Sequence, residues 1–178
     1  MKKIYITFVL ATFILSTTLT KAQFNPYPDK TNMLTVGVGI TGWGIPIFAR
    51  FEAPVTDNIT IGGGISYQGK SETFSGFKWK HTIFGLGVRG SYHFNELIEL
   101  PDEWDLYAGL NLGYYIWNTN FDDTTGSGID YTGSGSGGFS IGLHVGGRYF
   151  VNDNIGINLE FGGGTVLSGG TLGATFLF

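Results

Sequence analysis

The chain contains no cysteine. That excludes disulfides, thiolate metal sites, a cysteine nucleophile and a lipidated N-terminal cysteine, and it leaves the compartment open. Charge is also scarce. Asp, Glu, Lys and Arg make up 13 % of the 178 residues, against about 25 % in an ordinary soluble domain, so there is little material for a wet surface. The net charge of −4 is mild and points away from a nucleic-acid partner. Beyond the N-terminal segment no apolar run is long enough for a helical membrane span. What the chain has in quantity is glycine, 30 residues, and aromatics, 16 %.

The start of the chain reads as an export signal. Lys2 and Lys3 precede a compact apolar run, Ile4 to Leu15. "STTLTKA" follows, with Thr20 and Ala22 at the small-residue positions before a cut at Gln23. The expectation is a signal peptide over residues 1–22 and a single β-barrel domain over 23–178.

Beyond it, alternation dominates. "FSIGLHVGGRYF" (139–150) carries Phe139, Ile141, Leu143, Val145 and Tyr149 on one face, and His144 and Arg148 among glycines on the other. Successive side chains of a strand leave opposite faces of the pleat, so this is a strand signal. Eight such strands are expected, approximately over 33–41, 45–54, 59–68, 81–94, 105–117, 139–150, 155–164 and 171–178. "VTDN" and "VNDN" read as tight turns. "QGKSETFSGFKWK" and "NFDDTTGSGIDYTGSGSGG" read as long loops on the opposite side, and "NELIELPDEWD" as a longer acidic connection on the tight-turn side.

The composition of the two faces decides which is inside. A soluble sandwich would bury the oily face and expose the other. The other face, however, is rich in glycine, which weakens a strand and has no advantage on a wet surface. Glycine fits where room is short, as inside an eight-stranded barrel. The oily face is therefore expected to point outward into lipid. Closing the barrel pairs every backbone group, as a membrane demands. Tight turns at one end and long loops at the other match the bacterial outer-membrane pattern. Tyr67, Trp117, Phe139 and Phe161 are expected at an upper aromatic girdle. Phe51, Tyr92, Phe94, Tyr149 and Phe178 are expected at a lower one.

With a leader, eight amphipathic strands and a C-terminal "GATFLF", the chain resembles the small outer-membrane β-barrel proteins of the OmpA/OmpX type. The resemblance implies an all-β, eight-stranded antiparallel up-and-down transmembrane barrel in the bacterial outer membrane. It also implies that Phe176 and Phe178 form the end signal presented to the barrel-assembly machinery. It extends over the mature chain and involves no catalytic motif.

The face expected to line the lumen carries Arg50, Arg89 and Arg148 against Glu52, Asp105 and Glu160, with His93 and His144 nearby. Unpaired buried charge is costly, so a charged network that fills the barrel is expected. A hairpin through "VNDN" would set His144 beside Glu160, and Asp105 would approach His93 if the connection between them folds back. A narrow ion path and a general acid/base pair are the other readings of these groups. Lys70, Lys78 and Lys80 around Trp79 form a candidate contact for lipopolysaccharide phosphates. Asp122, Asp123 and Asp130 lack the spacing of a calcium loop. The "GGG" clusters at 62–64 and 162–164 lack the helix and Lys-Ser/Thr pair of a phosphate loop. No cofactor, metal or enzyme activity is indicated. The functional expectation is a monomeric barrel in contact with outer-membrane lipid, with a structural, surface-interaction or small-solute permeation role. The alternatives are a lipid A-modifying enzyme, for which Ser66, Ser71, Ser75 and His81 are the rim residues to consider, and a soluble lipocalin-like binder with a hollow apolar interior.

Overall fold

The computed structural model describes residues 32–74, 77–123, 131–132 and 135–178. The expected leader, 1–22, and its cut at Gln23 lie outside the described residues. Eight strands form the barrel: β1 (Met33–Thr41), β2 (Ile47–Thr56), β3 (Ile59–Phe74), β4 (Phe77–His93), β5 (Trp104–Asp123), β6 (Ser136–Asn152), β7 (Ile155–Gly164) and β8 (Ser168–Leu177). A two-residue stretch, Tyr131–Thr132, pairs with β5 beyond the barrel wall.

Every neighbouring pair is antiparallel, in chain order, and β8 returns to β1 with Met33 opposite Leu177 and Thr41 opposite Gly169. The seam is extended by Asn32 and Phe178, whose backbones exchange two hydrogen bonds of 3.0 Å. The sheet is thus closed and has no edge, the condition for backbone in hydrocarbon. The strands begin and end as their turn chemistry requires. The Asn152 side chain accepts hydrogen bonds from the backbone N–H groups of Asn154 and Ile155 at 3.0 and 2.9 Å, an Asx turn that reverses the chain. The register slips between Pro54 and Thr56 and between Phe150 and Asn152. Both tight hairpins at this lower end therefore carry the same local bulge.

The oily face is outside. Leu143, Val145 and Leu159 are 65 %, 56 % and 49 % exposed, whereas Arg148 is 1 % exposed. A soluble sandwich would reverse those values. Glycine lets the wall close tightly: a Cβ on Gly109 would sit 1.9 Å from the carbonyl oxygen of Gly90, and one on Gly62 would sit 2.0 Å from that of Phe51.

Two expectations need correction. "QGKSETFSGFKWK" is largely strand, because β3 and β4 stay in register from Ile59 opposite Tyr92 to Phe74 opposite Phe77. Its polar composition reads as loop, but above the lipid a strand is wet on both faces and needs no oily alternation. Trp117 does not join the upper girdle. On β5 it shares the lumenal side with Tyr107 and Tyr115, and a Cβ on Gly138 would lie 3.3 Å from its ring. On the outer face Tyr114 meets Phe139 edge-on at 5.0 Å between centroids. At the lower end Phe51 lies near Phe178, and Tyr92 near Phe94. Trp104, not anticipated there, packs on Tyr149.

Replacing Leu143 by Arg puts a charge on the lipid face at mid-height. It should cost about 2–4 kcal/mol of folding free energy in a bilayer. Urea titration of the variant and the parent in lipid vesicles checks this, and an unchanged midpoint would contradict the outward orientation.

Candidate functional site: the charged lumen

The lumen is layered along the barrel axis. At its lower end Met33, Phe150 and Leu177 form a buried apolar cluster, supplied by the ends of β1, β6 and β8. Above it lie the charges. The β5–β6 register sets Asp105 opposite Arg148, and the β1–β2 register sets Met33 opposite Glu52. Arg148 Nη1 donates to Asp105 Oδ2 at 2.8 Å, and Arg148 Nη2 donates to Glu52 Oε2. Its guanidinium stacks over the Tyr107 ring, 4.1 Å from the centroid. Glu52 Oε1 accepts from Ser91 Oγ at 3.0 Å and from Thr60 Oγ1 at 3.3 Å, with Arg89 Nε at 3.4 Å. Arg89 Nη2 reaches Glu160 Oε2 at 2.7 Å, and the Tyr107 hydroxyl donates to the same oxygen at 3.0 Å. Arg50 Nη1 completes the upper layer, 2.9 Å from Glu160 Oε1.

Three guanidinium groups thus face three carboxylates in one chain of contacts, contributed by β2, β4, β5, β6 and β7. Each carboxylate has at least two donors, so no anion is left bare in a low-dielectric space.

The histidines sit at the sides of this chain. His93 Nδ1 is 2.7 Å from Asp105 Oδ1, and its Nε2 is 3.0 Å from Thr60 Oγ1. His144 lies opposite Gly162 in the register, and its Nε2 bonds to Ser91 Oγ at 3.0 Å. The partner expected for it, Glu160, lies opposite Gly146 and is held by the arginines and Tyr107 instead. Acid, imidazole and hydroxyl stand in line through Asp105, His93 and Thr60, an arrangement that elsewhere activates a nucleophile. Here Thr60 is wholly buried and packed within the network, so no substrate atom can approach its hydroxyl.

Tyr107 is the residue that sequence reasoning missed. It is fully buried, takes a hydrogen bond from Asn158 Nδ2 at 2.6 Å, and links Glu160 to Arg148. The signal was available. Asp105, Gly109 and Asn111 share its side of β5, and a tyrosine in that phase belongs inside.

The other candidate residues are distributed by the same register. Lys80 lies opposite Ser71 and Asn120, while Lys70 lies opposite His81 on the strand face that Gln68 uses. The Trp79 and His81 rings are nearly parallel, with centroids 6.5 Å apart. The side chain of Lys78 lies outside the described residues, as does Ser75. His81 Nδ1 bonds to Thr119 Oγ1 at 3.0 Å. Ser66 lies opposite Gly85, four residues along β4 from His81, about 13 Å away at strand rise. No serine–histidine pair forms among these described residues. Phe176 and Phe178 are exposed at the lower rim of the seam. Among the described residues no group of three His, Asp or Glu side chains is arranged to hold a metal ion.

Glu52 touches two arginines, a serine and a threonine, so removing it leaves three buried guanidinium groups against two carboxylates. Glu52→Ala should lose about 3–5 kcal/mol of stability. The exposed Lys80→Ala should change stability by less than about 0.5 kcal/mol. Denaturant titration of both variants in detergent micelles checks the contrast.

Comparisons with known proteins bear on the fold. No protein-family model matches the chain, and no curated protein matches its sequence. Solved structures do match. A major outer membrane protein from Thermus thermophilus is 12 % identical, with a TM-score of 0.65 over 85 % of this chain and 100 % of that one. The N-terminal β-barrel domain of Pseudomonas aeruginosa OprF is 12 % identical, with a TM-score of 0.54 over 83 % and 97 %. Neisserial surface protein A is 12 % identical, with a TM-score of 0.52 over 83 % and 94 %. With its lipid-facing belt and closed meander, the chain has the fold of the small eight-stranded outer-membrane β-barrels of bacteria.

Proposed function

We propose that this protein is a monomeric, non-catalytic barrel of the bacterial outer membrane, whose sealed lumen makes it a rigid scaffold for the segments at its upper end. One observation carries the reading: the lumen is blocked twice in series, by the charge network and by the Met33–Phe150–Leu177 cluster beneath it. A solute on a permeation path would have to break buried ion pairs, and then cross an apolar plug. That disfavours small-solute permeation. A polar, ion-paired interior equally disfavours a lipocalin-like binder, which needs a hollow apolar one. The lipid A-modifying alternative loses support from the separation of Ser66 and His81.

Other features support parts of the same reading. A closed sheet offers no edge for a second copy to pair with, in keeping with a monomer. Lys80 stands above the lipid belt and, with Lys78 on the same hairpin, would meet lipopolysaccharide phosphates as a point charge meets an anion, whereas Lys70 and Trp79 alternate to the opposite face of that hairpin. Phe176 and Phe178, exposed on the last strand, would serve as the end signal read by the barrel-assembly machinery. Residues 1–22 would be removed on export, leaving Gln23 first.

Planar-bilayer recording tests the scaffold reading. The wild-type barrel should insert without conductance steps. The double variant Arg148→Ala/Phe150→Gly, which opens both seals, should show them. Steps in the wild type would make it a pore.

A further inference from the structure

Above the charge network the described residues leave the lumen unfilled. A cavity of about 180 Å³ occupies its upper half and extends to the upper strand ends at Thr41, Leu167 and Ser168. It is smaller than the roughly 300–1,000 Å³ of drug-sized pockets, so it has room for a small molecule only. Its floor and walls are chemically distinct from the sealed layer below.

The floor is positive. Arg50 and Arg89 both line it, against Glu160 alone, while the balancing carboxylates Glu52 and Asp105 lie deeper. Arg50 is the arginine that reaches open space: its side chain is 18 % exposed, against 5 % for Arg89 and 1 % for Arg148. It gives Nη1 to Glu160 and lies over the Phe48 ring at 4.0 Å. That leaves the Nε and Nη2 edge of the fork with no protein acceptor among the described residues. The walls add Ser66, Asn111 and Tyr115, whose side-chain polar atoms likewise make no hydrogen bond to the described protein. Gly85 shapes the site, since a Cβ there would collide with the Tyr115 ring at 2.6 Å.

We propose that this vestibule is a binding site for a small hydroxy-carboxylate: a planar carboxylate on the Arg50 fork, and hydroxyls toward Ser66, Asn111 and Tyr115. A guanidinium edge matches a carboxylate in two parallel hydrogen bonds. The neighbouring hydroxyl and amide groups give and accept hydrogen bonds, as a polyhydroxylated chain or ring requires. The ligand displaces water from a site that is already formed, so little ordering is needed.

This rests on the closed floor of the scaffold reading. A conducting wild-type barrel would fail that floor in the bilayer recording, whereas failure of the site shows in binding alone. The test is an NMR titration of the refolded chain in detergent micelles with D-glucuronate, D-gluconate and L-lactate, with D-glucose as the neutral control at matched ionic strength. Saturable shifts are expected at the amides of Ser66, Asn111 and Ser140 with at least one carboxylate, and binding of glucose should be about tenfold weaker or less. Arg50→Lys, which keeps the charge and loses the fork, should weaken binding about tenfold. Asn111→Leu should weaken it without touching the ion pairs, and Ser140→Phe should abolish it by filling the space. These two keep the test open if the Arg50 variant does not fold. The absence of saturable shifts with all three carboxylates would overturn the proposal and leave a vestibule that holds water only. So would equal shifts with glucose, or binding that survives Ser140→Phe.

Discussion

A peptide N–H or C=O in hydrocarbon has no solvent partner, and an unpaired one costs several kcal/mol. Everything else in this molecule follows from meeting that condition with a sheet. The sheet must close, and the closing pair is the contact of the first strand with the last, sealed at its lower end by Asn32 and Phe178. Closing with eight strands sets the width of the interior, which holds side chains but little else. Interior positions are therefore mostly glycine or small polar residues, with a few large side chains that span the lumen. Lumenal glycines such as Gly62 and Gly109 and the buried Arg148, Tyr107 and His93 are two consequences of one geometry.

Lipid outside the barrel removes the usual reason for an oily core. Burying Leu against Leu gains little when the alternative is Leu against an acyl chain. The interior is then free to be polar, and polar groups in a narrow dry space must satisfy one another. The network does this for its carboxylates, each of which has at least two donors, and it also selects a register. A slip by one residue in β5 against β6 would carry Arg148 away from Asp105 and turn each side chain of the slipped strand to the wrong face. Charges that add little net stability in a water-soluble core act here as positional markers across five strands.

The orientation of the sheet was legible in the sequence because the two faces differ in kind: Ile, Leu and Val on one, glycine with isolated charges on the other. Strand number and the lower turns were legible for the same reason, since "VTDN" and "VNDN" interrupt the alternation where the lipid belt ends. The extensions of β3, β4 and β5 were not. Alternation is imposed by lipid on one side, and above the lipid the strands continue without it. Individual lumenal contacts were only partly legible. Asp105 and His93 do meet, because the connection between them returns directly to the wall. His144 and Glu160 are offset by two residues in the register, with His144 opposite Gly162 and Glu160 opposite Gly146, an offset that depends on how the hairpin pairs and that composition does not announce. Tyr107 was obscured because tyrosines in barrels also favour the interfaces. Its phase on β5 was the better guide.

The axial order of the lumen also has a direction. The lower end is apolar and closed, the middle is ion-paired, and the upper end keeps open space beside a guanidinium edge. Ser66, Asn111 and Ser140 line the upper lumen. Their small polar groups leave a vestibule where a plug of larger residues would otherwise fit. On the proposed scaffold reading the floor beneath it is sealed, so whatever enters from above leaves by the same route. Such a chamber would exchange with one side of the membrane alone, and its chemistry would then belong to binding at the upper face and not to transfer across the barrel.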